Sequence, residues 1–212
     1  MDRSDGPVVV KLGGSFAFSP HLRAWIDALA ACAGNVVIAS GGGPFADAVR
    51  SAQPRMGFDD AAAHHMAVLA MEQYGRALAS LDGTLSPADT IDAIRGRLAD
   101  GLVPVWMPAC LVLDATDIAQ SWDVTSDSLA AWLAGEVGAR GLLLVKHVEG
   151  RPGRACPAEL AASRLLDGAF ARYLQAAGVP AHILGPSDRD AAIAFIREGV
   201  PPGAPIELLA TV

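Results

Sequence analysis

Val8-Val9-Val10-Lys11-Leu12-Gly13-Gly14-Ser15 is the stretch on which the rest of the chain turns. Three β-branched residues in a row suit a strand covered on both faces, and the two glycines after it let backbone N–H groups approach an anion closely. Lys11 adds a positive charge beside that loop. The pattern recurs where Val36 to Ser40 runs into Gly41-Gly42-Gly43-Pro44 and a helical stretch from Phe45 to Ser51. A strand feeding a glycine turn and a helix N-terminus presents unpaired N–H donors at the positive end of the helix dipole, so two of them side by side suit a polyphosphate. Gly-Gly after a strand is by itself only a tight turn. The pair, with a lysine inside the first, favours a phosphate site built from Gly13, Gly14, Ser15, Gly41, Gly42 and Gly43.

Composition bounds the rest. A chain of 212 residues, 52% hydrophobic and 18% charged, is globular and long enough for one domain or two closely packed lobes. The net charge of −7, without a strongly basic stretch, argues against general nucleic-acid binding. Cys32, Cys110 and Cys156 are odd in number and widely spaced, which suggests free thiols and neither a disulfide framework nor a zinc knuckle. Met1 to Gly6 is short and polar, and no apolar run reaches the length of a bilayer, so the expectation is a soluble cytoplasmic protein with no membrane partner.

Read in order, Ser19-Pro20 opens a helix to about Ala33, with Leu22, Trp25, Ile26 and Leu29 on one stripe. Gln53 to Phe58 reads as a loop just past the second glycine turn. Arg55 in it is the candidate for gripping a phosphorylated acceptor, or else a solvated arginine. Asp59 to about Leu81 is the longest helical pattern, capped by Asp59 or Asp60. Within it Asp60 and His64 share a face, and His65 is a candidate substrate contact beside the reading of both histidines as structural. Ser86 to Asp89 opens a further helix to about Gly101. Val103 to Met107 is a buried strand, and Ala109 to Leu113 a second short one. The chain crosses between lobes near Asp114 to Ser121. A helix then runs from Ser128 to about Val137, with Ser126 or Asp127 able to cap it. Gly141 to Lys146 is a strand, Pro157 to Ala177 one or two helices, Ala181 to Gly185 a strand, Arg189 to Glu198 a helix and Ile206 to Leu209 a last strand. Alternating strands and helices imply a three-layer αβα sandwich around a central, mainly parallel sheet.

Lys11 to Ser15, Gly41 to Pro44 and Asp127 in Thr125-Ser126-Asp127-Ser128-Leu129-Ala130-Ala131 together resemble the amino acid kinase family, in order along nearly the whole chain. The resemblance implies that residues 1–118 form an acceptor-binding lobe, that 119–212 form a nucleotide-binding lobe, and that the protein is a homo-oligomer. It also implies that Lys11 and Asp127 are catalytic, with Asp127 holding the catalytic lysines near the nucleotide phosphates. Lys146, His147 and Glu149 depart from the family's more familiar turn. Lys146 is either a cation for ATP or a surface lysine at a strand end. Larger members place a second phosphate-binding lysine later in the chain; none follows Lys146 here, and Arg172 is the candidate replacement.

Phosphoryl transfer asks mainly for two anions held in line and for charge stabilisation. Walker spacing is absent, so a P-loop enzyme is disfavoured. No catalytic base lies beside the glycine loops, which suits an acceptor already ionised, a phosphate or carboxylate, better than an alcohol. ATP and magnesium are the implied cofactors, the metal bridging ATP oxygens with few protein ligands. Within the family, His64 to Gly75 and Ser121 to Ala131 look closest to the (aminomethyl)furanmethanol phosphate kinases of methanofuran biosynthesis, which convert a monoester to a diphosphate. A uridylate or isopentenyl phosphate kinase, or a storage member that binds nucleotide or oxyanion without transfer, are the alternatives.

Overall fold

A computed structural model describes residues 6–148 and 156–208. Six strands form one sheet: β1 (Val8–Leu12), β2 (Val36–Ser40), β3 (Leu85–Ala88), β4 (Val103–Trp106), β5 (Gly141–Val145) and β6 (Ala181–Leu184). Their order is β3-β4-β2-β1-β5-β6, and every neighbouring pair is parallel. Helices α1 (Leu22–Ala30), α2 (Gly43–Met56), α3 (Asp60–Ala79), α4 (Ile91–Ala99), α5 (Ala109–Val112), α6 (Ser126–Glu136), α7 (Pro157–Ala162), α8 (Phe170–Ala177) and α9 (Arg189–Glu198) flank it, giving the three-layer sandwich. Strands β1 to β4 precede residue 118 and β5 and β6 follow it, yet β5 pairs directly with β1, so one sheet carries both halves of the chain. Among the described residues no helix is long and apolar enough to cross a membrane.

The two faces of the sheet separate by the period of two along each strand. Val8, Val10 and Leu12 join Trp25, Ile26 and Leu29 of α1 and Phe195 and Ile196 of α9 in one core. Val9 faces the other way, with Leu129 and Leu133 of α6 and Phe170 and Leu174 of α8. Lys11, two residues after Val9, points to the α6 face.

Several elements differ from the sequence expectation, each for a local reason. Helix α1 begins at Leu22, because Ser19 Oγ accepts from the His21 N–H in a turn before it, and it ends at Ala30. Of the loop expected from Gln53 to Phe58, only Gly57 and Phe58 are non-helical. Helix α2 runs through Pro54 to Met56 and stops at Gly57, whose φ of +77° is the left-handed closure. Leu85 to Ala88 is a strand, not a helix start. It lies at the sheet edge, where Pro87 costs no ladder bond, and Thr90 is the cap that opens α4. Ala109 to Val112 is a helical turn, fixed where Glu72 Oε1 accepts from the Ala109 N–H at 3.0 Å. Ile206 to Leu208 forms no strand, although Ile206 N–H donates to the Ala181 carbonyl; Leu209 lies outside the described residues.

Candidate active site

Parity and register assemble the charged centre. In the β1–β5 pairing Lys11 lies opposite Leu144 and Leu12 opposite Val145. Leu142 and Leu144 face the α6 side, so Lys146 projects to that side as well, at the end of the neighbouring strand. Asp127 meets both from the first turn of α6: Lys11 Nζ is 2.8 Å from Oδ1 and Lys146 Nζ 2.6 Å from Oδ2. The aspartate is 4% exposed and Lys11 5%. Neither Asp127 nor Ser126 caps the helix; the cap position is Thr125. Burial opposes the Asp127 charge, but Lys11 and Lys146 outweigh it and hold the carboxyl below its ordinary range. For Lys146, burial and then the Lys11 charge push the ammonium down to about 8, against the pull of Asp127. The site lies at the carboxyl ends of β1 and β5, where the connections leave to opposite faces, the usual crevice of an open parallel sheet.

The two glycine turns abut one another. A Cβ on Gly14 would stand 2.5 Å from the Gly43 backbone nitrogen, and one on Gly41 would stand 2.6 Å from the Gly14 nitrogen. Gly13 N–H donates to the Val145 carbonyl at 3.3 Å, which ties the first turn to β5. Gly43, at φ +54°, begins α2. Beside the turns lies a cavity of about 230 Å³ whose walls come from both halves of the chain. Gly14, Ser15, Gly42 and Gly43 form one end, and Ser121, Trp122, Thr125 and Ser126 close the other side. Two helices supply matching stripes at i, i+3, i+4 and i+7: Gly43, Ala46, Asp47 and Arg50 from α2, and His64, Ala67, Val68 and Met71 from α3. Arg50 lies over the Trp122 ring at 4.6 Å, and Trp122 Nε1 donates to Gln53 Oε1 at 2.6 Å, across the two halves.

The α6 N-terminus is held from a distance. Asp167, before α8, accepts from Thr125 N–H at 2.9 Å, Thr125 Oγ1 at 2.8 Å and Ser128 N–H at 3.0 Å through Oδ2, and from the Ser128 hydroxyl through Oδ1.

The remaining candidates fall elsewhere. Arg55, in the last turn of α2, is exposed and outside the cavity lining; Arg50 is the arginine on the lining stripe. His65 is exposed on α3, and its neighbour His64 faces the cavity instead. Asp60 accepts from Gln53 Nε2, while the His64 ring bonds the backbone at Ser121. Arg172 donates to the Asp117 carbonyl and lines a separate cavity with Trp132 and Tyr173, apart from the lysines. His147 packs edge-on against Phe16, and Glu149 lies outside the described residues. Stripes running from Gly43 and from His64 were the sequence signal for Arg50 and His64. Asp167 carries no local signal.

Comparison with known proteins bears on the family and the fold. A profile of the amino acid kinase family matches residues 6–150. A (5-(aminomethyl)furan-3-yl)methyl phosphate kinase of Methanocaldococcus jannaschii is 28% identical over 145 residues, 67% of this chain and 66% of that protein, just under two thirds of the relative's length. The uridylate kinase structure of Archaeoglobus fulgidus superposes with a TM-score of 0.71 at 18% identity, over 95% of this chain and 100% of that one. The UMP kinase of Bacillus anthracis gives 0.67 at 15% identity over 98% of each chain. That of Ureaplasma parvum gives 0.63 at 14% identity over 92% of this chain and 96% of that one. At these identities the likeness is one of fold, and the family and all these relatives are kinases.

Proposed function

The chain belongs to the amino acid kinase family, and from that membership we propose that it is an ATP-dependent kinase whose phosphoryl acceptor is a phosphate monoester. The observation that carries this reading is the buried Lys11–Asp127–Lys146 bridge set beside two abutting glycine turns. In it the half from 1 to 118 supplies most of the acceptor site, closed by Ser121, Trp122, Thr125 and Ser126 of the other half, and the half from 119 to 212 binds the nucleotide.

The glycine turns fit a polyphosphate, since the backbone approach at Gly14 and Gly41 leaves no room for side chains between the N–H groups. Asp127 holds two ammonium groups side by side, so charge on the transferring group meets fixed cations without reorganisation. A monoester oxygen attacks the γ-phosphorus as the bond to the β,γ-bridging oxygen breaks, and ADP leaves. The acceptor dianion brings no proton to remove, which is why no base is required beside the turns. Among the described residues no three His, Cys, Asp or Glu cluster as a metal cage. Magnesium carried with ATP would therefore be held through phosphate oxygens and its own waters, supplying charge neutralisation there.

The leading acceptor is (5-(aminomethyl)furan-3-yl)methyl phosphate, by likeness to the archaeal relative and because the cavity offers Trp122 for a flat ring. ATP consumption with magnesium, measured against that monoester, UMP, isopentenyl phosphate and simple carboxylates, tests the reading. ADP formation with one monoester and none with carboxylates is expected. ATP bound without transfer to any acceptor would instead mark a binding or storage protein. Lys11→Ala is expected to lower kcat by about 10²-fold or more with the fold retained, as loss of a donor aimed at developing charge does. Sedimentation of the purified chain checks the homo-oligomer that the family implies.

A further inference from the structure

The chain carries 16 Lys and Arg residues, and only two of them, Lys11 and Lys146, are lysines. Both meet Asp127. An ammonium is a compact point charge that burial can strip of its proton, whereas a guanidinium keeps its own. A centre built on two neighbouring buried lysines therefore depends on what holds them charged. At Asp127 two cations face one carboxylate, and the positive charge left over is costly away from water. A second carboxylate lies beyond the same helical turn. Asp167 is half-buried and joins no salt bridge among the described residues. Its four hydrogen bonds all come from Thr125 and Ser128, which bracket Asp127 at the start of α6. Those donors are neutral and leave its charge without a counterion. Acting on Lys146 are Lys11 from β1, Asp127 from α6 and Asp167 from the turn before α8; the two carboxylates favour the ammonium, and burial and Lys11 oppose it. Holding a helix end needs no charge, since Asn or Ser accepts from the same N–H groups. A lysine pair with one counterion does need one.

We propose that Asp167 is a positioning residue of the phosphoryl-transfer centre: the second counterion of the lysine pair, which keeps Lys146 in its ammonium form. Its role is thus electrostatic as well as that of an anchor for α6. What the ammonium does rests on the kinase reading; the coupling of the two charges does not.

With two lysines in the chain, isotope-labelled lysine gives two side-chain signals that nuclear magnetic resonance can titrate in the full-length protein. Lys146→Arg identifies one of them by its loss. In wild type the Lys146 signal is expected to titrate at about pH 8. In Asp167→Asn, which keeps an acceptor oxygen and drops the charge, the midpoint is expected to move to lower pH. In Ser128→Ala, which drops one hydroxyl bond and keeps the charge, it is expected to stay where wild type has it. An Asp167→Asn midpoint equal to that of wild type overturns the proposal, and so does an equal displacement in Ser128→Ala. Should circular dichroism show Asp167→Asn unfolded, Asp167→Ser takes its place and is read in the same way. Turnover is followed in parallel. The alkaline limb of kcat/KM should move with the Lys146 midpoint; a fall in kcat with the limb in place would leave Asp167 a helix anchor only and overturn the proposal. Wild type that transfers phosphate to no acceptor would reject the kinase reading, and the lysine titration would still decide whether the two charges are coupled.

Discussion

Lys146 is the residue at which stability and activity pull in opposite directions. Its ammonium, pushed to about 8 by burial and by Lys11, gives up its proton more readily folded than unfolded, where the ordinary value is 10.5. Between those two values the unfolded chain binds more protons, so this residue's contribution to stability rises with pH across the window. Below about pH 8 it costs the fold a constant amount. In the proposed mechanism catalysis needs the charged form, and kcat/KM reports the free enzyme. We therefore expect kcat/KM to fall as pH rises through about 8, with the apparent value read from the alkaline limb of the profile. Asp127 has the opposite linkage: its carboxyl is depressed, so its stabilisation is present above the ordinary carboxylate range and is lost in acid below it. Asp127→Asn leaves the two ammonium groups facing each other without a counterion. Denaturant unfolding is expected to show a loss of about 3–5 kcal/mol, as for a broken buried pair, and the alkaline limb should move to lower pH because burial and the Lys11 charge then act on Lys146 against the pull of Asp167 alone. Lys11 stood out in the sequence as a lysine between a β-branched run and two glycines, whereas Asp127 read locally as a helix cap and was singled out through the family resemblance alone. Arg50 and His64 were missed in favour of Arg55 and His65, because which side of a helix faces a cavity depends on the neighbouring helix, and one residue turns the side chain by about 100°.

The glycine turns and the α6 N-terminus are where whole elements meet. Gly14→Ala would drive a methyl to 2.5 Å from the Gly43 nitrogen, which is backbone and unable to swing aside. The two turns must then separate, and thermal unfolding should show a loss of about 1–3 kcal/mol together with weakened ATP binding. Asp167→Ala removes the acceptor of four donors at the start of α6. A cost of about 1–3 kcal/mol is expected from the donors left unpaired. Turnover should fall with it, since Asp127 rides in the first turn of the same helix; unchanged turnover would mean that α6 keeps its place without this anchor. The central strands were readable because runs such as Val8-Val9-Val10 and Leu142-Leu143-Leu144 are buried on both faces and need no context. Edge elements were not: Leu85 to Ala88 pairs on one side only and carries Pro87, so its sequence resembles a helix start until β4 is beside it. Ala109 to Val112 is apolar enough for a strand and is turned into helix by Glu72, thirty-seven residues earlier. Asp167 lies beyond any local pattern for the same reason.

Across the whole molecule, one sheet joins the two halves and one cavity is walled by both, so an acceptor bound there must stabilise both together. Residues of both halves, such as Gly14, Arg50, His64 and Trp122, line the cavity, and the Trp122–Gln53 bond already joins the halves beside it. A ligand at 100 times its Kd adds about 2.7 kcal/mol to the folded state. For a chain of this length that amounts to a rise in Tm of roughly 5 to 10 °C. Its distribution is the sharper test. Hydrogen exchange should slow at the start of α2, along the lining turns of α3 and at 121–129, while the β3–α4 edge, which contributes nothing to the cavity, keeps its rate. Protection confined to one half of the chain would mean that the acceptor does not bridge the two. Slowed exchange on both sides, with the edge unmoved, is the outcome that a site built across β1 and β5 requires.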